Sequence, residues 1–157
     1  MKSMENNRLN PVFLSLLLVV AGIFSIPVLS SYAQTSPSGG MKKTTSGGSL
    51  DVLLQPSPEP VGHTGPTSFK VSFLQKGPDT VQPHIDYDFI IMNNGKEVFQ
   101  ASQLAGQAGK PLHTAEGVVT IPYTFQSSGD YSINVQVFGI LFNPIKPESA
   151  QYSIKVA

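Results

Sequence analysis

Hydrophobic and polar residues alternate along most of the chain after residue 50, which is the pattern of half-buried β-strands. No stretch there keeps the period of about 3.6 residues that is typical of a helix. The alternation predicts about seven short strands, separated by Pro, Gly and Asn, at residues 50–54, 68–74, 84–92, 97–101, 118–125, 131–138 and 151–156.

Three local features refine this strand prediction. Asn94 and Gly95 separate two of the runs and predict a type I′ hairpin turn, which needs a positive φ at both positions. Pro122 cannot donate a backbone hydrogen bond, so we expect residues 118–125 to form an edge or bulged strand. Residues 138–145 are apolar on both faces, and we expect them to be buried within the domain; the alternative is that they dock on another protein.

The number and spacing of these strands, within about 108 residues, are typical of an all-β, immunoglobulin-like or fibronectin-type antiparallel sandwich. A small barrel is the alternative. Tyr131 begins one of the runs and is expected to form a tyrosine corner, in which the hydroxyl bonds to nearby backbone. Otherwise Tyr131 is simply an aromatic residue of the core.

The first 33 residues have the pattern of a secretory signal peptide with a hydrophobic helix. Lys2 and Arg8 precede a long apolar run, and small residues at its end favour cleavage after Ala33. The alternative is an uncleaved membrane anchor formed by residues 12–30, because about 18 apolar residues just cross a bilayer's hydrocarbon core. We therefore expect an exported domain, extracellular or pseudoperiplasmic, which contacts a membrane only if this segment is retained.

Composition narrows both the domain organisation and the function. Residues 34–49 are rich in Ser, Thr and Gly and predict a flexible linker before a sandwich at residues 50–157.

Ten basic and ten acidic residues give zero net charge, which argues against a nucleic-acid partner. The chain has no Cys, which excludes disulfides, a Cys nucleophile and a thiolate copper centre. No GxSxG, HExxH or GxGxxG motif is present, and we expect a non-enzymatic protein.

The second half of the chain resembles a known class of domain. The strings PHIDYDFIIMNNGKEVF, LHTAEGVVTIPY and GDYSINVQVFGILFNPIKPES are similar to small exported archaeal immunoglobulin-like β-sandwich domains. Such domains occur among the envelope proteins of ammonia-oxidising archaea, and the likeness covers roughly residues 66–156. The resemblance implies the fold and the export of this chain, and it implies no activity.

A candidate metal site comes from the histidines. His84, Asp86 and Asp88 are spaced by two along one predicted strand and project from its outward face. The three span about 13 Å, too far to hold one ion, but His84 and Asp86 could do so together with His113. Imidazole and carboxylate ligands suit copper or zinc. The alternative is that all of these are solvated polar residues on a strand surface.

A candidate interaction surface comes from outward apolar residues. Ile90, Met92 and Phe138 are predicted to lie on the outer face of the sandwich. If they are neighbours, they form an apolar patch on an otherwise polar face, and such patches mark binding surfaces. A covering loop or strand is the alternative.

Two functional hypotheses follow. The first is an interaction or structural domain that has no cofactor and binds an unknown protein partner at the cell envelope. The second is a domain that binds or delivers copper or zinc through the candidate metal site. The first predicts that the histidines lie apart, whereas the second predicts imidazole nitrogens within about 4 Å of each other.

Overall fold

The structure, a computed structural model, describes residues 40–157. The predicted signal peptide or anchor lies outside the described residues. The elements, in chain order, are β1 (Met41–Thr44), β2 (Leu50–Ser57), β3 (Pro66–Gln75), β4 (Ile85–Asn93), β5 (Lys96–Gln100), α1 (Ala101–Leu104), β6 (Leu112–Thr114), β7 (Val118–Thr124), β8 (Gly129–Ile140) and β9 (Asn143–Val156). In this part of the chain no helix is long and apolar enough to span a membrane.

The strands form two antiparallel sheets, which confirms the prediction of an all-β antiparallel fold. The first sheet has the order β1-β2-β3-β7, and the second has the order β5-β4-β8-β9. The short strand β6 also pairs with β4, opposite residues 85–87, whereas β5 pairs farther along β4, opposite residues 90–93. The other long side of β4 pairs with β8.

The two sheets enclose one hydrophobic core, built from the inward positions of the alternating strands. Aromatic rings meet across it, and the centroids of Phe69 and Phe89 are 5.5 Å apart. The buried hydroxyl of Tyr152 donates a hydrogen bond of 2.8 Å to the Val52 carbonyl on the other sheet. This bond satisfies a polar group that would otherwise be costly to bury, and it links the two sheets.

The folded part begins earlier than the sequence predicts. Met41–Thr44 forms β1 within the segment predicted to be a flexible linker, where it pairs with Leu54 to Asp51 of β2. The sequence MKKT has no apolar alternation, and only Met41 is partly buried. Its strand conformation depends on pairing with β2, which a pattern of hydrophobic residues does not reveal. The three-residue strand β6 escaped prediction because it is too short to show a period.

Three of the strand prolines lie on edge strands, whereas Pro56 and Pro66 lie on the inner strands β2 and β3. Pro122 is in β7, at the edge of the first sheet, as predicted. Pro144 and Pro147 are in β9, at the edge of the second sheet. An edge strand tolerates proline because one of its sides needs no donor. Residues 143–149, which lie between two of the predicted strands, are therefore part of one long strand.

The prediction that residues 138–145 are buried is wrong at their centre. Leu141 and Phe142 are 49% and 70% exposed. They form the two-residue turn between β8 and β9, at the tip of a long hairpin. The apolar run was interpreted as buried, but its centre is an exposed turn that lies beside His84, at the start of β4.

Candidate metal centre

The pairing of β4 with β6 places His113 beside Asp86. These residues are direct partners in the antiparallel register, and their side chains lie on the same, outward face. The Nδ1–H of His113 donates a 2.7 Å hydrogen bond to Oδ1 of Asp86. This bond selects the tautomer of the neutral imidazole, so the lone pair of His113 is on Nε2.

Gly139 makes room for the Asp86 side chain. It faces Asp86 from β8, on the other side of β4. A Cβ at position 139 would collide with the carboxylate of Asp86. Because position 139 has no Cβ, the carboxylate of Asp86 has room beside β8 while its Oδ1 accepts the hydrogen bond from His113.

His84 lies just before β4 and is held on both sides by backbone hydrogen bonds. Its N–H donates to the carbonyl of Ala115 at 3.2 Å, and its carbonyl accepts from the N–H of Leu141 at 2.8 Å. Its φ is +54°, an unusual value for a residue with a side chain. This backbone conformation turns the imidazole toward His113.

The two imidazoles face each other. Nδ1 of His84 is 3.5 Å from Nε2 of His113, and the ring centroids are 5.7 Å apart. This separation is long for an N–H···N hydrogen bond. Two zinc–nitrogen bonds of about 2.0–2.1 Å at a tetrahedral angle place their nitrogens about 3.4 Å apart. The spacing therefore suits two ligands of one metal ion, and it lies within the limit set by the metal hypothesis.

Phe142 covers the imidazole pair from the hairpin tip. Its ring centroid is 4.3 Å from that of His84 and 5.5 Å from that of His113. Its plane is inclined by 17° to the His113 ring, so these two rings are stacked. Sequence analysis missed Phe142, since Leu141 and Phe142 carry none of the residue types that signal a turn.

The structure keeps Asp88 apart from this site. The sequence predicts that Asp88 is outward and solvated, but it is only 3% exposed because α1 covers it. Its carboxylate accepts hydrogen bonds from the hydroxyl of Ser102 at 2.6 Å, the N–H of Ser102 at 3.1 Å and the amide of Gln100 at 2.6 Å. Asp88 therefore anchors the start of α1 and has no free oxygen for a ligand.

His63 and the other acidic residues are not part of the site either. Nδ1 of His63 is 2.6 Å from the Ala157 oxygen, in the loop after β2. Across residues 40–157, no group of three or more His, Asp or Glu side chains is arranged to hold an ion. The Oδ1 atom of Asp86 is engaged by His113, and the two imidazole nitrogens are the candidate ligands that lie closest together at this site.

The predicted apolar patch is divided. Ile90 and Met92 lie two apart on β4, opposite Asn134 and Ser132 of β8. Phe138 lies four residues beyond Asn134, roughly 13 Å along the strand. Ile90 is moreover only 9% exposed. The structure thus brings Ile90 and Met92 together and leaves Phe138 away from them.

The two residues predicted to have structural roles lie at the other end of β4. Gly95 has φ of +77° and Asn94 of +49°, the signs that a type I′ turn requires. The hydroxyl of Tyr131 donates to the Ser127 carbonyl at 3.1 Å. This is the local hydrogen bond expected of a tyrosine corner.

Comparisons with known proteins add no relative. Neither protein-family models, nor curated proteins, nor solved structures give a match to this chain. Function therefore has to be inferred from the geometry of the site.

Proposed function

We propose that this protein is a non-enzymatic, exported metal-binding domain, and that His84 and His113 bind one ion of copper or zinc. The observation that carries the proposal is the 3.5 Å separation of Nδ1 of His84 from Nε2 of His113. Neutral imidazole nitrogens are preferred ligands of both metals.

Asp86 acts as a positioning residue in this proposal. Its hydrogen bond to Nδ1 of His113 leaves Nε2 as the ligating atom and makes that nitrogen a better donor. A carboxylate behind a ligating histidine is a common arrangement in metal sites. Both side chains are more than a third exposed, at 36% for Asp86 and 39% for His113, so an ion can enter from solvent.

The site suits reversible binding. Structural zinc sites supply all four ligands from the protein, whereas this one supplies two. An ion held by two ligands keeps open positions and exchanges more readily. One domain alone therefore cannot close the coordination of an ion, and this geometry favours capture of a metal at the cell envelope over a role in holding the fold of the domain together.

Features outside the site support the rest of the proposal. Two antiparallel sheets around one core, together with the Tyr131 hydrogen bond, support an immunoglobulin-like sandwich. Lys2, Arg8 and the apolar run before Ala33 support export. A metal-binding domain of the envelope is consistent with both.

Titration calorimetry of a protein comprising residues 34–157, with zinc(II) and with copper(II), tests the proposal. This protein contains both sheets and the described core. We expect saturable binding that is lost in the His84→Ala/His113→Ala variant and kept in the His63→Ala control. No binding, or binding that persists in the double variant, would reject the proposal.

A second pair of variants tests the role of Asp86. Asp86→Ala is expected to weaken binding by about 10–100-fold, as loss of such a carboxylate does elsewhere. Asp86→Asn, which keeps an acceptor oxygen, should restore part of the affinity. Equal affinity in all three proteins would show that Asp86 does not orient His113.

A further inference from the structure

The candidate metal centre is half of a four-coordinate site. Zinc in a closed protein site takes four ligands in a tetrahedron, and this site presents two nitrogens from His84 and His113. Residues 40–157 offer no further His, Asp or Glu in a ligating arrangement. The two remaining positions of a tetrahedral ion at this site are open to water or to ligands from another molecule.

Two large apolar side chains lie exposed beside the two histidines. Leu141 and Phe142 are 49% and 70% exposed, and the Phe142 ring lies 4.3 Å from the His84 ring. Both tip residues have positive φ, at +50° and +64°, which is a strained conformation for bulky side chains. The hairpin thus presents two large apolar side chains next to the metal ligands and keeps them there at an energetic cost.

We propose that the missing ligands are His84 and His113 of a second copy of this chain, so that one zinc ion joins two domains. This inference rests on the proposed function. A two-fold axis through the ion relates the two copies, and four imidazole nitrogens complete the tetrahedron. The same contact covers Leu141 and Phe142 of each copy against the other.

A second copy fits this surface better than water or an unrelated protein. Water ligands would leave both apolar side chains exposed. A two-fold contact needs only that the patch complement itself. Its two ligands and two apolar side chains carry no fixed charge, and the two positive charges of the ion offset the Asp86 carboxylates of the two copies. Residues 34–157 contain eight Lys, no Arg and nine Asp or Glu, so the long-range repulsion between two copies is small.

Sedimentation velocity of the protein comprising residues 34–157, with and without zinc(II), tests this inference, and metal analysis supplies the stoichiometry. We expect a monomer without zinc and a dimer with it, at one zinc for two chains, reversed by a chelator. His84→Ala/His113→Ala should remain monomeric, whereas His63→Ala should behave like the unchanged protein.

The hairpin tip is tested separately. Phe142→Ser should raise the dissociation constant of the zinc dimer at least tenfold. Val98→Ser, which replaces an exposed apolar residue on β5 at the other end of β4, should leave it unchanged. An unchanged dimer in Phe142→Ser would remove the tip from the interface.

The outcomes separate this inference from the function that it rests on. One zinc per monomer, lost in the double histidine variant, would overturn the dimer and leave the metal site standing. A dimer that forms without zinc, or in the double histidine variant, would also overturn the metal bridge. Absence of any histidine-dependent binding would overturn both proposals.

Discussion

The two ends of the second sheet turn the chain with the same backbone geometry and opposite choices of residue. At the turn end, Asn94 and Gly95 join β4 to β5 with φ of +49° and +77°. At the histidine end, Leu141 and Phe142 join β8 to β9 with φ of +50° and +64°. Asn and Gly adopt this conformation readily, whereas Leu and Phe do so at a cost of about 1–2 kcal/mol each.

The two turns differ in how well their residues suit a positive φ. At the turn end, sequence preference and backbone conformation agree. At the histidine end they conflict, and the surrounding structure holds the strained turn through the bond from Leu141 N–H to the His84 carbonyl and one from the Asn143 amide to the Leu141 carbonyl. Strain that persists beside two partly exposed imidazoles is a feature typical of functional sites.

Replacing Asn94 and Gly95 by the Leu and Phe found in the other turn should have the largest effect on stability. Asn94→Leu/Gly95→Phe should lower the free energy of unfolding by about 3 kcal/mol, because both positions then carry the penalty of positive φ. A Cβ at position 95 meets no atom within 4 Å, so the effect is conformational. Urea unfolding measures it, with Asn94→Asp as a mild control. An unchanged midpoint would show that the strained turn costs little at either end.

The reverse exchange at the histidine end should stabilise the protein. Leu141→Asn/Phe142→Gly removes two penalties of positive φ and loses the stacking of Phe142 on the imidazoles, for a net gain of about 2 kcal/mol. Urea unfolding of the metal-free protein gives the change. A loss of stability instead would mean that the packing of Phe142 outweighs the strain, and the hairpin tip would then have a structural role.

Tyr131 on β8 pairs with Asn93, the residue of β4 next to the turn. A substitution of Tyr131 therefore tests the stability of the turn end from the neighbouring strand. Tyr131→Phe should lower the free energy of unfolding by about 1 kcal/mol, the value of its hydrogen bond to Ser127. Thermal unfolding measures this change, and zinc affinity should not alter. Equal stability of the two proteins would remove the tyrosine corner.

Glu148 on β9 belongs to neither end of the second sheet and serves as a reference for the stability effects at the two ends. Its hydrogen bonds connect the β1–β2 turn to the second sheet. Burial alone would raise the pKa of its carboxyl, but hydrogen bonds from Ser49 and Thr45 and from the N–H groups of Ser49 and Gly47 lower that pKa overall. The hydroxyls of Ser49 and Thr45 lie 2.6 Å and 2.5 Å from its oxygens.

Because the pKa of Glu148 is lower in the folded than in the unfolded protein, these bonds stabilise the fold above the unfolded pKa. This stability is lost as pH falls through the folded pKa. Glu148→Gln should lower stability at neutral pH by less than about 1 kcal/mol, since the group is well solvated, and the difference should shrink in acid. Thermal unfolding at both pH values measures it. A difference independent of pH would exclude ionisation as its source.

Sequence reasoning succeeded where a feature depends on neighbours in the chain. The alternation of Phe69, Val71 and Phe73 marks a strand with one face in the core, and all three are fully buried. It failed where burial depends on a distant element. Asp86 and Asp88 have the same place in the pattern, yet α1 covers Asp88 and leaves Asp86 at the surface.

The candidate site likewise combines features that the sequence predicts with features that depend on distant contacts. The histidines and Asp86 were selected from the sequence because of their residue types and spacing. Their assembly was not predictable, since His84 and His113 are separated by a hairpin, a short helix and a loop. Only the pairing of β6 with β4 places His113 opposite Asp86. Phe142 carried no signal at all, because its position over the imidazoles depends on where the β8–β9 hairpin ends.

The sequence by itself determined the strands of the core, the type I′ turn at Asn94 and Gly95, and the edge position of Pro122, because these follow from backbone chemistry and local periodicity. The tertiary structure decided which strands pair, which carboxylate is covered and which rings meet. Those outcomes depend on contacts between residues far apart in the chain, and two imidazoles 29 positions apart become a nitrogen pair only when the sheet brings them together.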